Sequence, residues 1–375
     1  MTSALNNTFI LLIINHIHKN MLYNTKIQIE HFLRTFALVK EVLLIMIDYS
    51  TKVTIPKSDF NITYNEKLIF IGSCFADNIG LKMREHKFDA LTNPFGVLYN
   101  PMSVALACRH MPEPGIFVED DLFFYDGLYH SHMHHGKFSD VSADRCLSGI
   151  NNSSAISSEH FHKTSFLVIT FGTSYVYHLK EDGRVVANCH KLPASHFDRR
   201  LLTVDGIVEE WSELLEYLWL KNPLLKIIFT VSPIRHWKDG ANLNQISKAT
   251  LLLAQHSLIE KYPDRISYFP AYELMMDELR DYRFYADDML HPSKIAIDYI
   301  WERFCDTYMD ISTTETLKNI DKLCKTLNHR PLNTSTEAYK HFLTQTMLNL
   351  KRLQEKYPYI CLSEEEKMIS NKLKE

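Results

Sequence analysis

Two stretches of the 375-residue chain bring reactive side chains together. In KLIFIGSCFADNIG, Lys67 to Gly80, an apolar run stops at Gly72-Ser73-Cys74 and a helical pattern follows. A hydroxyl or thiol at such a strand-to-helix turn sits among the unpaired N–H groups of a helix start, where a developing oxyanion finds donors. A serine needs a base, and the base needs an orienting group. Asp288 and His291, three apart in YADDMLHPSK, supply both types, so Ser73 is the expected nucleophile, His291 the base and Asp288 its orienter. The competing role for Ser73 is a plain helix N-cap, since serine is among the commonest residues there. Cys74 is the alternative nucleophile, because a thiolate at a helix N-terminus is acidified. The expectation for it is instead a small buried residue behind the turn. Adjacent side chains in such a turn point in different directions, so one of the two faces the crevice.

Other polar clusters call for the same double reading. YHSHMHHGKFSD holds His130, His132, His134 and His135, and alternate histidines on a strand could face a zinc ion. No cysteine or carboxylate pattern completes such a site, so no metal is expected, and His132 and His134 are expected to line a crevice and face substrate. SPIRHWKDG places Arg235, His236, Lys238 and Asp239 directly after an apolar run, where they would hold an anionic or polyhydroxylated substrate or form a surface ion-pair cluster. Asn244, Ser247 and Lys248 share one helical face that solvent exposure explains, although a crevice could recruit them.

These groups are positioned by a regular alternation. KLIFIG, SFLVITFG, LKIIFTVSP and ISYFP read as buried strands, and between them FADNIGLKMREHKF, VDGIVEEWSELLEYLWLKN and QISKATLLLAQHSLIEKYP read as helices. The last strand runs into helical AYELMM, and Pro292 is placed to open a helix. Continuous apolar strands separated by helices imply a parallel, doubly wound sheet with both faces covered. Ligands in such sheets bind beyond the carboxyl ends of the strands, which is where the reactive residues fall. Beyond Phe304 the chain turns helical and charged, and TEAYKHFLTQTMLNLKRL carries apolar residues at packing intervals.

A composition of 46% hydrophobic and 23% charged residues places the chain among globular proteins. The net charge of −4 argues against a nucleic-acid partner. Seven cysteines without a CxxC pair fit neither a disulfide framework nor a zinc knuckle, and a reducing cytoplasm is the simplest setting. The apolar run TFILLIINHIHKN is too short to span a bilayer and lacks a cationic lead, so no membrane span and no signal peptide are expected. Residues 1–45 read as an extension with Met46 as an alternative start, against the reading of a genuine accessory helix. The expected division is 1–45, then 46–304 for the reactive domain, then 305–375 for a helical appendage.

GSCFA at 72–76, NPFGVLYNP at 93–101, VSPIRHWKDG at 231–240 with NQISKATL after it, and YFPAYELMMDELRDYRFYADDMLHPS at 268–293 together resemble the GSCFA-domain family, itself similar to the SGNH (GDSL-like) hydrolases. The resemblance covers roughly residues 52–304. It implies a flavodoxin-like three-layer α/β/α sandwich, a Ser73–His291–Asp288 triad and no cofactor. It also implies oxyanion donors at the serine N–H, at Gly96, and at the segment carrying Gly172 and Ser174, with Asn100 as a substitute. The usual Gly-Asp-Ser is Gly-Ser here, which puts either Ser73 or Cys74 in register for attack. The implied activity is that of an esterase on small acyl esters, O-acetylated saccharides by analogy. An acyltransferase with the same triad and a non-catalytic saccharide-binding module are the rivals.

Overall fold

The computed structural model describes residues 51–327 and 336–374, so the readings for residues 1–45 lie outside it. Five parallel strands form the central sheet: β1 (Lys67–Gly72), β2 (Asp89–Thr92), β5 (Thr164–Phe171), β9 (Lys226–Val231) and β10 (Ile266–Phe269). Their spatial order is β10-β9-β5-β1-β2, which in chain order is 2-1-3-4-5, the flavodoxin-like arrangement.

Alternation along the strands sends neighbouring side chains to opposite faces. In β1, Leu68 and Phe70 enter one core with Phe75, Ile79 and Met83 of α1 (Cys74–Glu85) and with Ile300 and Phe304 of α6 (Lys294–Tyr308). Ile69 and Ile71 enter the other. There they meet Val104 of α2 (Pro101–Arg109), Trp211 and Leu215 of α4 (Val204–Lys221) and Leu251 of α5 (Gly240–Lys261). Both faces are therefore covered, and the fold is the three-layer sandwich the sequence implies.

Strand β2, helix α2, two smaller sheets and one further helix were not anticipated. The hairpin of β3 (Phe123–Tyr125) and β4 (Leu128–His130) turns at Asp126-Gly127, both at positive φ, as a two-residue hairpin turn requires. β6 (Tyr175–Leu179) lies between β7 (Val185–Val186) and β8 (Phe197–Leu201) in an antiparallel sheet after β5. The helix α3 (Ala143–Phe161) is rich in Ser and Asn, and Ser154, Ser157 and Ser158 are buried.

After β10 the expected helix is cut to one α-turn, Ala271–Glu273, followed by a π-helical turn, Leu274–Glu278. The C-terminal appendage is helical as expected: α7 (Ile311–Leu327), α8 (Glu337–Lys356) and α9 (Ser363–Lys374). They enclose their own cluster, including Ile320, Leu323, Leu343, Leu350 and Ile369. Among the described residues no helix is long and apolar enough to cross a membrane.

Candidate active site

The chain leaves β1 in one direction for β2 and in the other for β5, so a crevice opens beyond the carboxyl ends of β1 and β5. The junction of β1 with α1 stands there. Gly72 has φ +132, and a Cβ on it would lie 2.1 Å from the Thr170 carbonyl oxygen. Only glycine fits so close to β5. Its N–H donates to Asn93 Oδ1 at 2.8 Å, and its carbonyl accepts from Leu98 N at 2.9 Å. Asn93, fully buried with φ 42, also donates through Nδ2 to Asp77 Oδ1 at 2.8 Å. One asparagine thus joins the turn after β2, the end of β1 and the first turn of α1.

The exposure of the two neighbours in the turn is the reverse of the expectation. Ser73 is 1% exposed, and its Oγ caps α1 by accepting from Phe75 N at 3.3 Å. Its own N–H donates to Thr170 O at 3.1 Å, continuing the β1–β5 ladder. Cys74, the first residue of α1, is half-buried instead. Burial and then the Asp77 carboxylate raise its thiol pKa, while its own N–H, that of Phe75 and the Lys248 ammonium pull the other way.

Asp288 and His291 form a pair, with His291 Nδ1 and Asp288 Oδ2 2.5 Å apart. Asp288 Oδ1 accepts from the N–H groups of Leu290 and His291, both at 2.9 Å. Those donors, with the imidazole, hold the Asp288 carboxyl down at about 2. Nδ1 is turned to the carboxylate, leaving Nε2 for another partner. The loop closes on itself through Ala286 N to His291 O at 2.7 Å and a bridge between Tyr285 and Pro292. Pro292 therefore precedes α6 without opening it; Ser293 is the N-cap and Lys294 the first helical residue.

The expected oxyanion donors are already engaged. Gly96 N donates to Asn93 O at 2.8 Å, and Gly172 N donates to Tyr99 O at 2.7 Å. Asn100 caps α2, bonding the N–H and hydroxyl of Ser103 at 2.9 Å each. Ser174 is buried, with its N–H on Ser247 Oγ at 2.8 Å and its hydroxyl 3.1 Å from the same oxygen. All four are thus bonded within the protein.

The polar face of α5 is not solvated. Asn244, Ser247 and Lys248 are each at most 2% exposed, because the loops after β5 and β9 fold over them. Asn244 Oδ1 accepts from His236 N at 2.8 Å. Lys248 Nζ donates to the carbonyls of Gly172 and Ser232, each at 2.7 Å, and so ties the ends of β5 and β9 together. Burial pushes its pKa down to about 7. In the loop after β9, Lys238 is exposed while Arg235 and His236 are half-buried, and Asp239 is ion-paired with Arg199. His236 edges onto Tyr99 with ring centroids 5.8 Å apart, and a Cβ on Gly172 would come within 3.2 Å of its Nε2. Burial first and then Lys248 push its pKa down to about 4, and His291 is near enough to add to the effect. Lys248, Gly172 and His236 are thus successive neighbours beyond the ends of β5 and β9, with Cys74 near enough to feel Lys248 and His291 near enough to act on His236.

The histidine segment departs from expectation. His132 and His134 are 7% and 2% exposed and stack on Phe123 and Phe95, respectively, rather than presenting rings to a substrate. Burial pushes His134 down to about 3, so it is a neutral core residue. His130 is held by Ser139 Oγ at 2.7 Å, and His135 accepts from Lys137 N at 3.2 Å. Among the described residues no group of histidine, cysteine and carboxylate side chains is arranged to hold a metal.

A five-stranded parallel sheet in flavodoxin-like order, covered by helices on both faces and carrying the β1–α1 turn and the paired Asp288 and His291, defines an α/β sandwich protein. The sequence model of the GSCFA family matches residues 67–304, and that of the C-terminal domain of GSCFA proteins matches residues 320–375. The chain belongs to the GSCFA family. No curated protein matches it.

Among solved structures it is similar to an acetyl xylan esterase from Butyrivibrio proteoclasticus, at 12% identity and TM-score 0.34 over 68% of this chain and 64% of that one. It is also similar to a carbohydrate esterase family 3 protein from Talaromyces cellulolyticus, at 9% identity and TM-score 0.30, over 68% of this chain and 99% of that one. A family two carbohydrate esterase from Clostridium thermocellum aligns at 13% identity and TM-score 0.31, over 72% of this chain and 67% of that one. At such scores the fold rests on the sheet order itself. The chain spans 64% of the length of the first of these proteins.

Proposed function

We propose that the protein is an acyl-ester hydrolase whose nucleophile stands at the β1–α1 turn and whose base is His291, oriented by Asp288. The observation that carries this is the Asp288–His291 pair, with Nδ1 turned to a carboxylate that two backbone N–H groups fix in place. That arrangement orients an imidazole for proton transfer at Nε2.

Between the two side chains of the turn, exposure favours Cys74. For Ser73 to attack, its hydroxyl would have to leave the α1 cap and its burial. The thiol is neutral near pH 7, so it needs the base. His291 Nε2 would take the thiol proton as sulfur bonds to the ester carbonyl carbon. The resulting oxyanion would meet the Cys74 N–H, one of the first-turn donors that a helix leaves unpaired. Collapse breaks the carbon–oxygen bond of the ester, and the proton passes from His291 to the departing alcohol. Water, deprotonated by the same imidazole, then cleaves the thioester and regenerates the thiol. Small acyl esters, including O-acetylated saccharides, are the substrate class proposed.

The test is hydrolysis of 4-nitrophenyl acetate by wild type, Cys74→Ala and Ser73→Ala, together with mass mapping of iodoacetamide and fluorophosphonate adducts. Loss of activity in Cys74→Ala, with alkylation at Cys74, is the expected result. Activity lost only in a folded Ser73→Ala, with a fluorophosphonate on Ser73, moves the nucleophile to serine. Activity unchanged in both variants ends the hydrolase reading.

A further inference from the structure

We infer that the crevice is built for a substrate carrying an anionic group, a carboxylate or phosphate, and that Arg235 is the residue that holds it. This rests on the acyl-ester reading for the reaction but on separate observations for the charge.

Arg235 follows β9 by four residues and is half-buried. Its Nε is sealed from solvent with no hydrogen-bond partner, while its guanidinium lies 5.7 Å from the Trp237 ring centroid. That nitrogen is out of a ligand's reach, but the outer nitrogens of the guanidinium make no hydrogen bond or ion pair among the described residues either, and they are not sealed. The carboxylate on the same segment, Asp239, is taken by Arg199. Of the two acids near Tyr272, Glu273 is held by the Tyr268 hydroxyl at 2.8 and 2.9 Å. Asp277, the other, makes no ion pair with Arg235 among the described residues.

The second cation is Lys248. Its ammonium is bonded to two neutral carbonyls and stands 5.5 Å from the Tyr272 ring centroid, close enough to Arg235 for the two charges to repel. On the other side, Arg235 acts on Tyr285, which is bridged to Pro292 beside His291. Asp288 is paired with His291, and Asp77, which acts on Cys74 and is hydrogen-bonded to the neutral Asn93 Nδ2, makes no ion pair with Arg235 among the described residues. Arg235 therefore presents, near Lys248 and the His291 loop, a planar, forked donor that no carboxylate pairs among the described residues. That donor set matches a carboxylate or phosphate and leaves a neutral acetyl ester without a partner for it.

The experiment compares 4-nitrophenyl hemisuccinate with 4-nitrophenyl butyrate on the full-length protein, and titrates its tryptophan fluorescence separately with succinate and inorganic phosphate. In wild type, kcat/KM for the hemisuccinate exceeds that for the butyrate by roughly tenfold to a hundredfold, the range a charge-assisted hydrogen bond supplies. Arg235→Met removes that preference and the saturable fluorescence change, while Arg235→Lys restores part of each. His291→Ala keeps anion binding without hydrolysis. Equal rates for the two esters in wild type overturn the inference, as does a preference or titration that survives Arg235→Met. Arg235-dependent anion binding by a protein that hydrolyses neither ester would leave the anion seat standing and remove the hydrolase reading instead.

Discussion

Replacing His291 by alanine is expected to lower kcat by about 10²- to 10⁴-fold, the usual contribution of a positioned general base, with the fold unchanged because the side chain is half-exposed. Asp288→Asn keeps the shape but removes the charge at Nδ1, and the same assay should show a fall of the same sign. Because the Asp288 carboxyl is held down at about 2, it stays ionised through the range of an ordinary assay. An acid limb in the pH–rate profile above about pH 4 therefore belongs to another group, and Asp288→Asn should lower the plateau of that profile. Gly72 is the least replaceable residue of the site. Alanine there meets the Thr170 carbonyl at 2.1 Å on a backbone with φ +132, so Gly72→Ala should abolish soluble folded protein, read by circular dichroism.

At the scale of elements, two junctions make separate predictions. Ser73→Ala removes the α1 cap and should cost about 0.5–2 kcal/mol in urea unfolding. Lys248, at the junction of α5 with the ends of β5 and β9, gives a pH signature. Its folded pKa lies near 7, below the unfolded value, so between about 7 and 10 the unfolded chain binds the extra proton. This residue's contribution to stability consequently rises with pH across that window. The gap in melting temperature between wild type and Lys248→Met should shift in favour of wild type as pH climbs from 7 to 10, and a gap that is flat with pH would refute the assignment.

The same elements show what the sequence makes legible. β1, β5 and β9 are continuous apolar runs, and α4 repeats its apolar residues at helical spacing, so both types announce themselves locally. β2 has four residues and α3 is mostly Ser and Asn at its core, so neither carries a periodic signal. In the site, the Asp288–His291 pair is legible because its partners are three residues apart. The role of Asn93 is not, because its bonds reach 21 and 16 residues back to Gly72 and Asp77. Lys248 reads as solvated because its burial is imposed by two loops distant in sequence. Residue type favours Ser73 as the outward-facing member of the turn, and the α1 cap, which draws its hydroxyl inward, is not visible in type alone.

At the scale of the molecule, the C-terminal helices are docked on the far end of α1. Asp321 of α7 and Glu365 of α9 approach His86 and Lys87, at the C-terminal end of α1, and Tyr64 stacks on Phe88 at 4.0 Å and tilts against Tyr359 at 6.1 Å. Leu343→Ala within their cluster should cost about 2–5 kcal/mol, measured by denaturant unfolding of the whole chain. Helix α1, of 12 residues, is about 18 Å long, with Cys74 at one end and this docking surface at the other. A helix clamped at its tail and bonded through Asn93 and Thr170 at its head behaves as a strut. A change at the appendage would then be expected to reach the thiol along this helix. Tyr64→Ala should accordingly alter the rate at which iodoacetamide alkylates Cys74, although no atom of Tyr64 belongs to the crevice.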